Sequence, residues 1–210
     1  TALIIGASGG IGAAICAALS AQGVAVTALS RSEDGVDVTD ETSIATALGA
    51  LEGPFDLIIV ATGALEIDGA KPEKSLKAVT AQAMMDLPVL ENGERGVIVN
   101  TSSAAFQDGQ LGQAAYAASK GAIASMALPA AREFAKMGVR VMNVAPGLFG
   151  TPMMKGLPEE VTDKIIANIP FPDRLGHPEE FAQMVGDIVG NPYLNGTTIR
   201  LDGAVRLPPR

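Results

Sequence analysis

Tyr116 and Lys120 stand four residues apart in the run Tyr116-Ala-Ala-Ser-Lys120. On a helix that spacing puts both side chains on one face, about one turn from each other. The residues between them, and Gly121 to Ala124 after them, are mostly small or good helix formers, so a helix is expected. A phenol beside a fixed ammonium is a proton-transfer pair. A free tyrosine titrates near ~10, and a cation held close favours the phenolate and brings that value toward neutral pH. Ser103 lies 13 positions before Tyr116, just past the apolar run Gly96-Val-Ile-Val-Asn100, which reads as a buried strand. A hydroxyl there could hydrogen-bond a substrate carbonyl while the tyrosine protonates it. A Tyr-x-x-x-Lys pair by itself is common on solvent-facing helices. The chemistry therefore needs the pair, the hydroxyl and a nucleotide site together.

The start of the chain supplies the nucleotide site. Ala2-Leu-Ile-Ile5 is a short apolar strand, Gly6-Ala-Ser-Gly9-Gly10-Ile11-Gly12 a glycine turn, and an alanine-rich helix follows to about Gln22. Glycines let the backbone approach a pyrophosphate, and the helix N-terminus offers N–H donors and a positive dipole end. The spacing is Gly-x-x-x-Gly-x-Gly, not the Gly-x-Gly-x-x-Gly of the commonest dinucleotide fingerprint. Val24 to Leu29 is the second strand, followed by Ser30 and Arg31. An acid at that point bonds the ribose 2′-hydroxyl of NAD, whereas an arginine accommodates the 2′-phosphate of NADP. Neutral Ser30 followed by Arg31 favours NADP. NAD is the alternative, with Arg31 then a solvated surface cation.

Together these residues resemble the short-chain dehydrogenases/reductases. Their pattern is a strand ending in Ser, about a dozen residues, then Tyr-x-x-x-Lys; Ser103, Tyr116 and Lys120 match it position by position, and Gly6 to Gly12 has that family's glycine form. The likeness spans nearly the whole chain. It implies reversible hydride transfer between a nicotinamide cofactor and a carbonyl or secondary alcohol. Ser103, Tyr116 and Lys120 would be catalytic, with Lys120 also bonding the nicotinamide ribose. Cofactor contacts are implied for Gly6, Gly9, Gly10, Ile11, Gly12, Ser30, Arg31, Asp37, Val38, Ala61, Thr62, Gly63, Pro146, Gly147, Phe149 and Thr151, besides Tyr116 and Lys120. By this likeness Asp37-Val38 is a short third strand whose end nears the adenine, and the link to it is too short for the usual crossover helix. The corner Pro146 to Thr151 closes over the nicotinamide, and Thr151 bonds the carboxamide, serves as a helix N-cap, or both. Ala61-Thr62-Gly63 stand where the family usually has Asn-Ala-Gly, so a side-chain contact that ties the sheet together is lost.

One stretch departs from the pattern. Leu87 to Gly96 is only ten residues and leads straight into the strand Val97–Asn100. A parallel connection takes a dozen or more residues, normally a helix. The family has a long helix there, with half of its dimer-forming pair and a fourth catalytic residue, an Asn that holds a proton-relay water. No residue here matches that Asn; Asn92 and Asn100 are in the wrong context. Either a segment is absent from the sequence, or the chain is shortened or joined from two parents. Residues up to about Asp86 look like a compact NADP-type reductase. From about Gly96 the chain resembles the type 2 3-hydroxyacyl-CoA dehydrogenases, an NAD-linked branch that also oxidises hydroxysteroids. The runs carrying that second likeness are 112–116, 128–132, 145–152, 170–172 and 199–203.

The remaining elements place these motifs. Asp40 and Glu41 suit the start of a helix running to about Leu51, and Phe55–Val60 is a buried strand. Glu66 to Lys74 reads as a polar loop and Ser75 to Asp86 as a modest helix. Gly138–Val144 is a sixth strand, preceded by a helix that Pro129 should kink. A substrate loop is expected over about 148–176, with Met153, Met154 and Leu157 lining an adaptable apolar pocket or packing as core. His177 reads as structural, Cys16 as a packed small residue, and Asn195–Leu201 as the last strand. Strands alternating with helices predict an α/β fold: a Rossmann-type doubly wound parallel sheet in three α/β/α layers, one domain over 1–210, with ligands at the carboxyl ends of the strands.

Composition bounds the function. A net charge of −8 and no basic cluster argue against nucleic acid as a partner. A single cysteine, no signal peptide and no apolar run of ~20 residues give the expectation of a cytoplasmic protein off the membrane, the mitochondrial matrix being compatible too. No metal-ligand cluster is visible. A homo-oligomer, dimer or tetramer, is expected, with a small carbonyl or alcohol as substrate. Two other readings stay open: an NAD-linked 3-hydroxyacyl-CoA dehydrogenase, and a dinucleotide-binding sensor or scaffold without catalysis. The missing Asn favours the last; the intact Ser, Tyr and Lys oppose it.

Overall fold

The computed structural model describes residues 1–38, 40–51, 54–61, 89–90, 92–155 and 158–209. Its elements run β1 (Ala2–Ile5), α1 (Gly10–Ala21), β2 (Val26–Leu29), α2 (Arg31–Asp34), α3 (Glu41–Gly49), β3 (Leu57–Val60) and β4 (Gly96–Thr101). They continue with α4 (Ala114–Phe134), β5 (Val139–Pro146), α5 (Pro152–Lys155), α6 (Glu159–Ile166), α7 (Pro178–Gly190) and β6 (Thr198–Leu201). Short 3-10 turns lie at Ala104–Phe106 and Ala135–Met137.

The six strands make one parallel sheet in the order β2-β1-β3-β4-β5-β6. Parallel strands covered on both faces read as continuous apolar runs rather than alternating ones, and β1, β4 and β5 are buried almost end to end. Alternate residues feed two cores. On one face Ile4, Ile59, Val99 and Val144 pack with Ile15 and Leu19 of α1 and Phe181, Val185 and Ile188 of α7. On the other, Leu3, Ile58, Ile98 and Val141 pack with Ile44 of α3 and Ala131 of α4. These are the three expected layers. The order reverses at β1, whose neighbours β2 and β3 lie on opposite sides, and a ligand crevice belongs at the carboxyl end of such a switch point.

The expected third strand at Asp37-Val38 does not form. Residues 35–37 are irregular and Val38 lies in a turn, so β2 is the edge of the sheet and the strand at 139–146 is the fifth, not the sixth. The local hydrogen bonds explain this. The Asp37 amide donates to Ser43 Oγ at 3.0 Å, and the Val36 amide returns to Ser30 O at 3.1 Å. With those donors turned inward, no ladder to β2 can be made. With that strand absent, the connection from β2 runs on to β3 and carries both the single turn α2 and the helix α3. The helix α4 runs through Pro129 as one element. The loop at 66–74, the helix at 75–86, Thr62, Gly63 and Leu157 lie outside the described residues.

At the end of the sheet away from the crevice, Arg140 is a buried cation, 6% exposed. It pairs with Glu94 at 2.7 Å and donates to the carbonyls of Ile188, Val189 and Leu194 at 2.9, 3.2 and 3.0 Å. A guanidinium fork on the last carbonyls of α7 satisfies groups the helix leaves unpaired and matches its negative end.

Candidate active site

The strand ends are brought level by hydrogen bonds that continue the ladder past each strand. Gly6 N donates to Leu29 O at 2.8 Å, Ala61 N to Ile5 O at 2.8 Å, Ser102 N to Val144 O at 2.8 Å and Gly147 N to Leu201 O at 2.9 Å. Gly6, Ala61, Ser102 and Gly147 therefore line one edge of the sheet, as the sequence reading requires.

The glycine turn after β1 is folded too tightly for any side chain at Gly12. A Cβ there would stand 2.2 Å from Gly6 O and 3.0 Å from the Ala7 Cα. Gly6 itself takes φ 92°, a left-handed conformation suited to glycine. This close strand-to-helix approach leaves the first amides of α1 uncovered for a phosphate. A dinucleotide pyrophosphate fits the cradle, since a Cβ at Gly12 would fill the very space the turn needs.

Ser103 follows β4 and caps the turn Ala104–Phe106, its Oγ accepting from the Ala105 amide at 3.2 Å. Beside it, Ser102 Oγ donates to Lys120 O at 2.7 Å, a buried bond that sets the height of α4 against the end of β4. Tyr116 and Lys120 share the face of α4 expected from their spacing. Lys120 is only 7% exposed, and its Nζ lies 5.9 Å from the Tyr116 ring centroid. Asn143 on β5 reinforces the docking, its Nδ2 donating to Ile123 O at 2.6 Å. The helix that carries the tyrosine and lysine is thus fastened to two strand ends by side chains the sequence reading assigned no role.

The corner after β5 closes onto the glycine turn. A Cβ on Gly10 would stand 2.9 Å from Pro152 Cδ and 3.2 Å from Thr151 Cβ. Gly10 and Thr151, 141 positions apart and both expected at the cofactor, therefore lie against each other. Phe149, expected among the cofactor contacts, turns its ring into the core, edge-on to Phe181 with centroids 6.1 Å apart, and Gly176 lies flat against it. A cleft walled mainly by Leu148, Ile169, Pro172, Leu201 and Gly203, with Arg174, Glu180 and Asp202 also on its lining, lies along the expected substrate loop. His177 precedes α7, where its amide donates to Glu180 at 2.7 Å. The paired Arg174 guanidinium, then the His177 amide, hold the Glu180 carboxyl down to about 2.

At the end of β2, Ser30 is buried, and its amide and Oγ both donate to Asp34, at 2.8 and 3.2 Å. Arg31, exposed, pairs with Asp37 at 3.3 Å. The structure thus joins three of the expected adenine-end residues and adds a carboxylate, Asp34, that the sequence reading passed over. A second cluster was missed because its members are far apart in sequence. Arg200 on β6 pairs with Asp108 and Asp202, each at 2.6 Å. The Arg200 guanidinium holds the Asp108 carboxyl below its usual range. Among the described residues no group of three or more His, Cys, Asp or Glu could hold a metal ion, and no helix is long and apolar enough to cross a membrane.

The model of the family described as short chain dehydrogenase matches residues 35–162. A human protein named 3-hydroxyacyl-CoA dehydrogenase type-2 is 38% identical over 249 aligned positions, covering 99% of this chain and 95% of that protein. Against a chain of 210 residues, that alignment leaves at least 39 positions with no counterpart here, in keeping with the shortened connection. A crystal structure of 3-hydroxyacyl-CoA dehydrogenase type-2 from Mycobacterium avium superposes with a TM-score of 0.90 at 33% identity, over 100% of this chain and 97% of that one. A small-chain dehydrogenase in complex with NADPH shares the fold, with a TM-score of 0.77 at 24% identity over 96% of each chain.

Proposed function

This chain belongs to the short-chain dehydrogenase family, an NAD(P)-dependent oxidoreductase by that membership, and we propose that it interconverts a ketone and a secondary alcohol through Ser103, Tyr116 and Lys120. The observation that carries this is the fastened pair on α4. Lys120 is buried with its Nζ 5.9 Å from the Tyr116 ring, on a helix bonded through Lys120 O to the residue next to Ser103. When bound, the nicotinamide supplies or accepts the hydride. Ser103 Oγ takes one hydrogen bond from Ala105 and gives its own proton toward the carbonyl oxygen. Tyr116 donates its phenolic proton to that oxygen, or removes it in the alcohol direction. Lys120 holds its charge beside the phenol ring. Its burial keeps the charge close and little screened.

Arg31 supports NADP as the cofactor. Its exposed pair with Asp37 is worth little, about 0–1 kcal/mol, so the guanidinium exchanges that partner for a 2′-phosphate at small cost. Asp34 supports NAD instead, because a carboxylate on Ser30 at the end of β2 stands where an acid bonds ribose hydroxyls. Titrating both cofactors, with Arg31→Asp as the comparison, decides between them. For the substrate, the relatives named 3-hydroxyacyl-CoA dehydrogenase favour a 3-hydroxyacyl thioester within the broader alcohol class. The apolar cleft at Leu148 and Ile169 suits an acyl chain.

The test is Tyr116→Phe, assayed with a panel of ketones and 3-ketoacyl thioesters by absorbance of the reduced cofactor. General acid–base catalysis is worth roughly 10²–10⁴-fold, so turnover should fall by at least that lower figure while cofactor affinity changes little. Unchanged turnover would reject the mechanism. Cofactor binding without turnover in the parent protein would favour the sensor reading.

A further inference from the structure

The Arg200 cluster lies outside the catalytic set yet holds the segment that joins two of its members, Ser103 and Tyr116. Arg200 Nη1 donates to Gln107 Oε1 at 2.9 Å and to Asp108 Oδ1 at 3.2 Å, and Nη2 donates to Asp108 Oδ2 at 2.6 Å. Nε donates to Asp202 Oδ2 at 2.6 Å, and Nη2 also reaches Val205 O at 3.1 Å. The side chains are withdrawn from solvent, with Arg200 15%, Asp108 13% and Asp202 8% exposed.

Close packing at two glycines leads from this cluster toward the chemistry. Asp108 is followed by Gly109, where a Cβ would stand 3.2 Å from the Ala117 Cβ on α4, next to Tyr116. On the other side Asp202 abuts Gly147, where a Cβ would be 2.7 Å from the Asp202 Cβ, at the corner after β5. The segment between Ser103 and Tyr116 is also tied to the stretch that follows β6. Gln110 Nε2 donates to Pro208 O at 3.0 Å, and the Leu111 amide to Pro209 O at 3.0 Å.

We infer that Arg200 is a positioning residue that sets the distance between Ser103 and Tyr116 by clamping the segment joining them to the end of β6. The clamp depends on the planar fork. One guanidinium spans Gln107, both Asp108 oxygens and Asp202 at once, which a lysine ammonium has no geometry to do. The carboxylates on both sides, Asp108 and Asp202, account for a cation at this position. This inference rests on the proposed Ser–Tyr–Lys chemistry.

The test uses the full chain with Arg200→Met, Arg200→Lys, Asp108→Asn and the double variant Asp108→Asn/Arg200→Met. Folding is checked by circular dichroism, and kcat is taken per folded molecule with ordinary and 4-deuterated reduced cofactor. Misplacement of reacting groups by ~1 Å costs about 10²-fold, so Arg200→Met should lower kcat roughly 10- to 100-fold. Cofactor dissociation constants should stay within about twofold, and the deuterium isotope effect should rise as chemistry becomes limiting. Arg200→Lys should recover only a small part of kcat. The double variant should be no slower than Arg200→Met alone, because both act through one clamp. Should Arg200→Met fail to fold, the near-isosteric Asp108→Asn decides, with a smaller kcat loss and the same isotope signature. Folded variants with kcat within twofold of the parent, or losses that track the unfolded fraction or cofactor affinity, overturn the inference. If Tyr116→Phe leaves turnover intact, the mechanism fails instead, so the two failures are distinguishable.

Discussion

Gly12→Ala tests the cradle after β1 with one methyl group. The new Cβ would lie 2.2 Å from Gly6 O, 2.9 Å from Gly6 C and 3.0 Å from the Ala7 Cα, all main-chain atoms with no flexible end to swing aside. Reaching even 3.0 Å from the oxygen requires about 0.8 Å of separation between turn and helix. The turn is anchored, since the Gly6 and Ala7 amides both donate to Leu29 O, at 2.8 and 3.1 Å. The start of α1 must therefore give way, carrying with it the amides that would meet a pyrophosphate. Losing one charge-assisted bond costs about 2 kcal/mol, or roughly 30-fold in dissociation constant. Overpacking of this kind also removes about 1–3 kcal/mol of stability, a fall in Tm of roughly 2–10 °C at this chain length. Titration of reduced-cofactor fluorescence gives the first quantity and a circular-dichroism melt the second. An affinity within threefold of the parent and an unchanged Tm would refute the tight-turn argument. Loss of stability alone would refute the assignment of the phosphate to this turn.

Arg140→Met should cost about 3–5 kcal/mol, the cost of breaking a buried pair and leaving Glu94 uncompensated, with kcat per folded molecule unchanged because Arg140 lies at the far end of the sheet. Chemical denaturation reads the cost, and adding Glu94→Leu should return part of it; a loss under about 1 kcal/mol would contradict the pairing. The Arg174–Glu180 pair predicts a pH dependence. Its folded carboxyl titrates at about 2 against an ordinary 4.5, so its contribution is present above 4.5 and is lost as pH falls toward 2. The Tm difference between the parent and Glu180→Gln should therefore shrink over that window and also under high salt. A difference that stays constant from pH 5 to pH 2 would show that Glu180 acts by packing rather than charge.

The layers of the fold were legible because parallel strands buried on both faces are apolar over most of their length, as in all of Leu57–Val60 and in Val139–Ala145 apart from Arg140 and Asn143. The glycine turn and the Tyr–Lys pair were legible for a related reason. Each works through neighbours in the chain, so spacing alone places Gly12 against Gly6, and Lys120 one turn from Tyr116. Where local hydrogen bonds competed, the sequence misled. Asp37-Val38 has strand-like neighbours and a family precedent, yet the Ser43 hydroxyl takes the donor that a strand would need.

The sequence by itself determined the fold class and the order of the elements apart from the strand expected at Asp37-Val38, and it proposed which residues could do chemistry, since propensity, burial pattern and helical spacing act over a few residues at a time. Tertiary structure alone decided what holds those residues in place. Ser102 beneath Lys120, and Arg200 between Asp108 and Asp202, meet through side chains whose partners depend on how helices and loops dock. Two of those contacts cross 18 and 92 positions of chain, and no periodicity records them. An ion pair or a buried hydroxyl bond is selected by the position of both ends in space, and that position exists only once the sheet has formed.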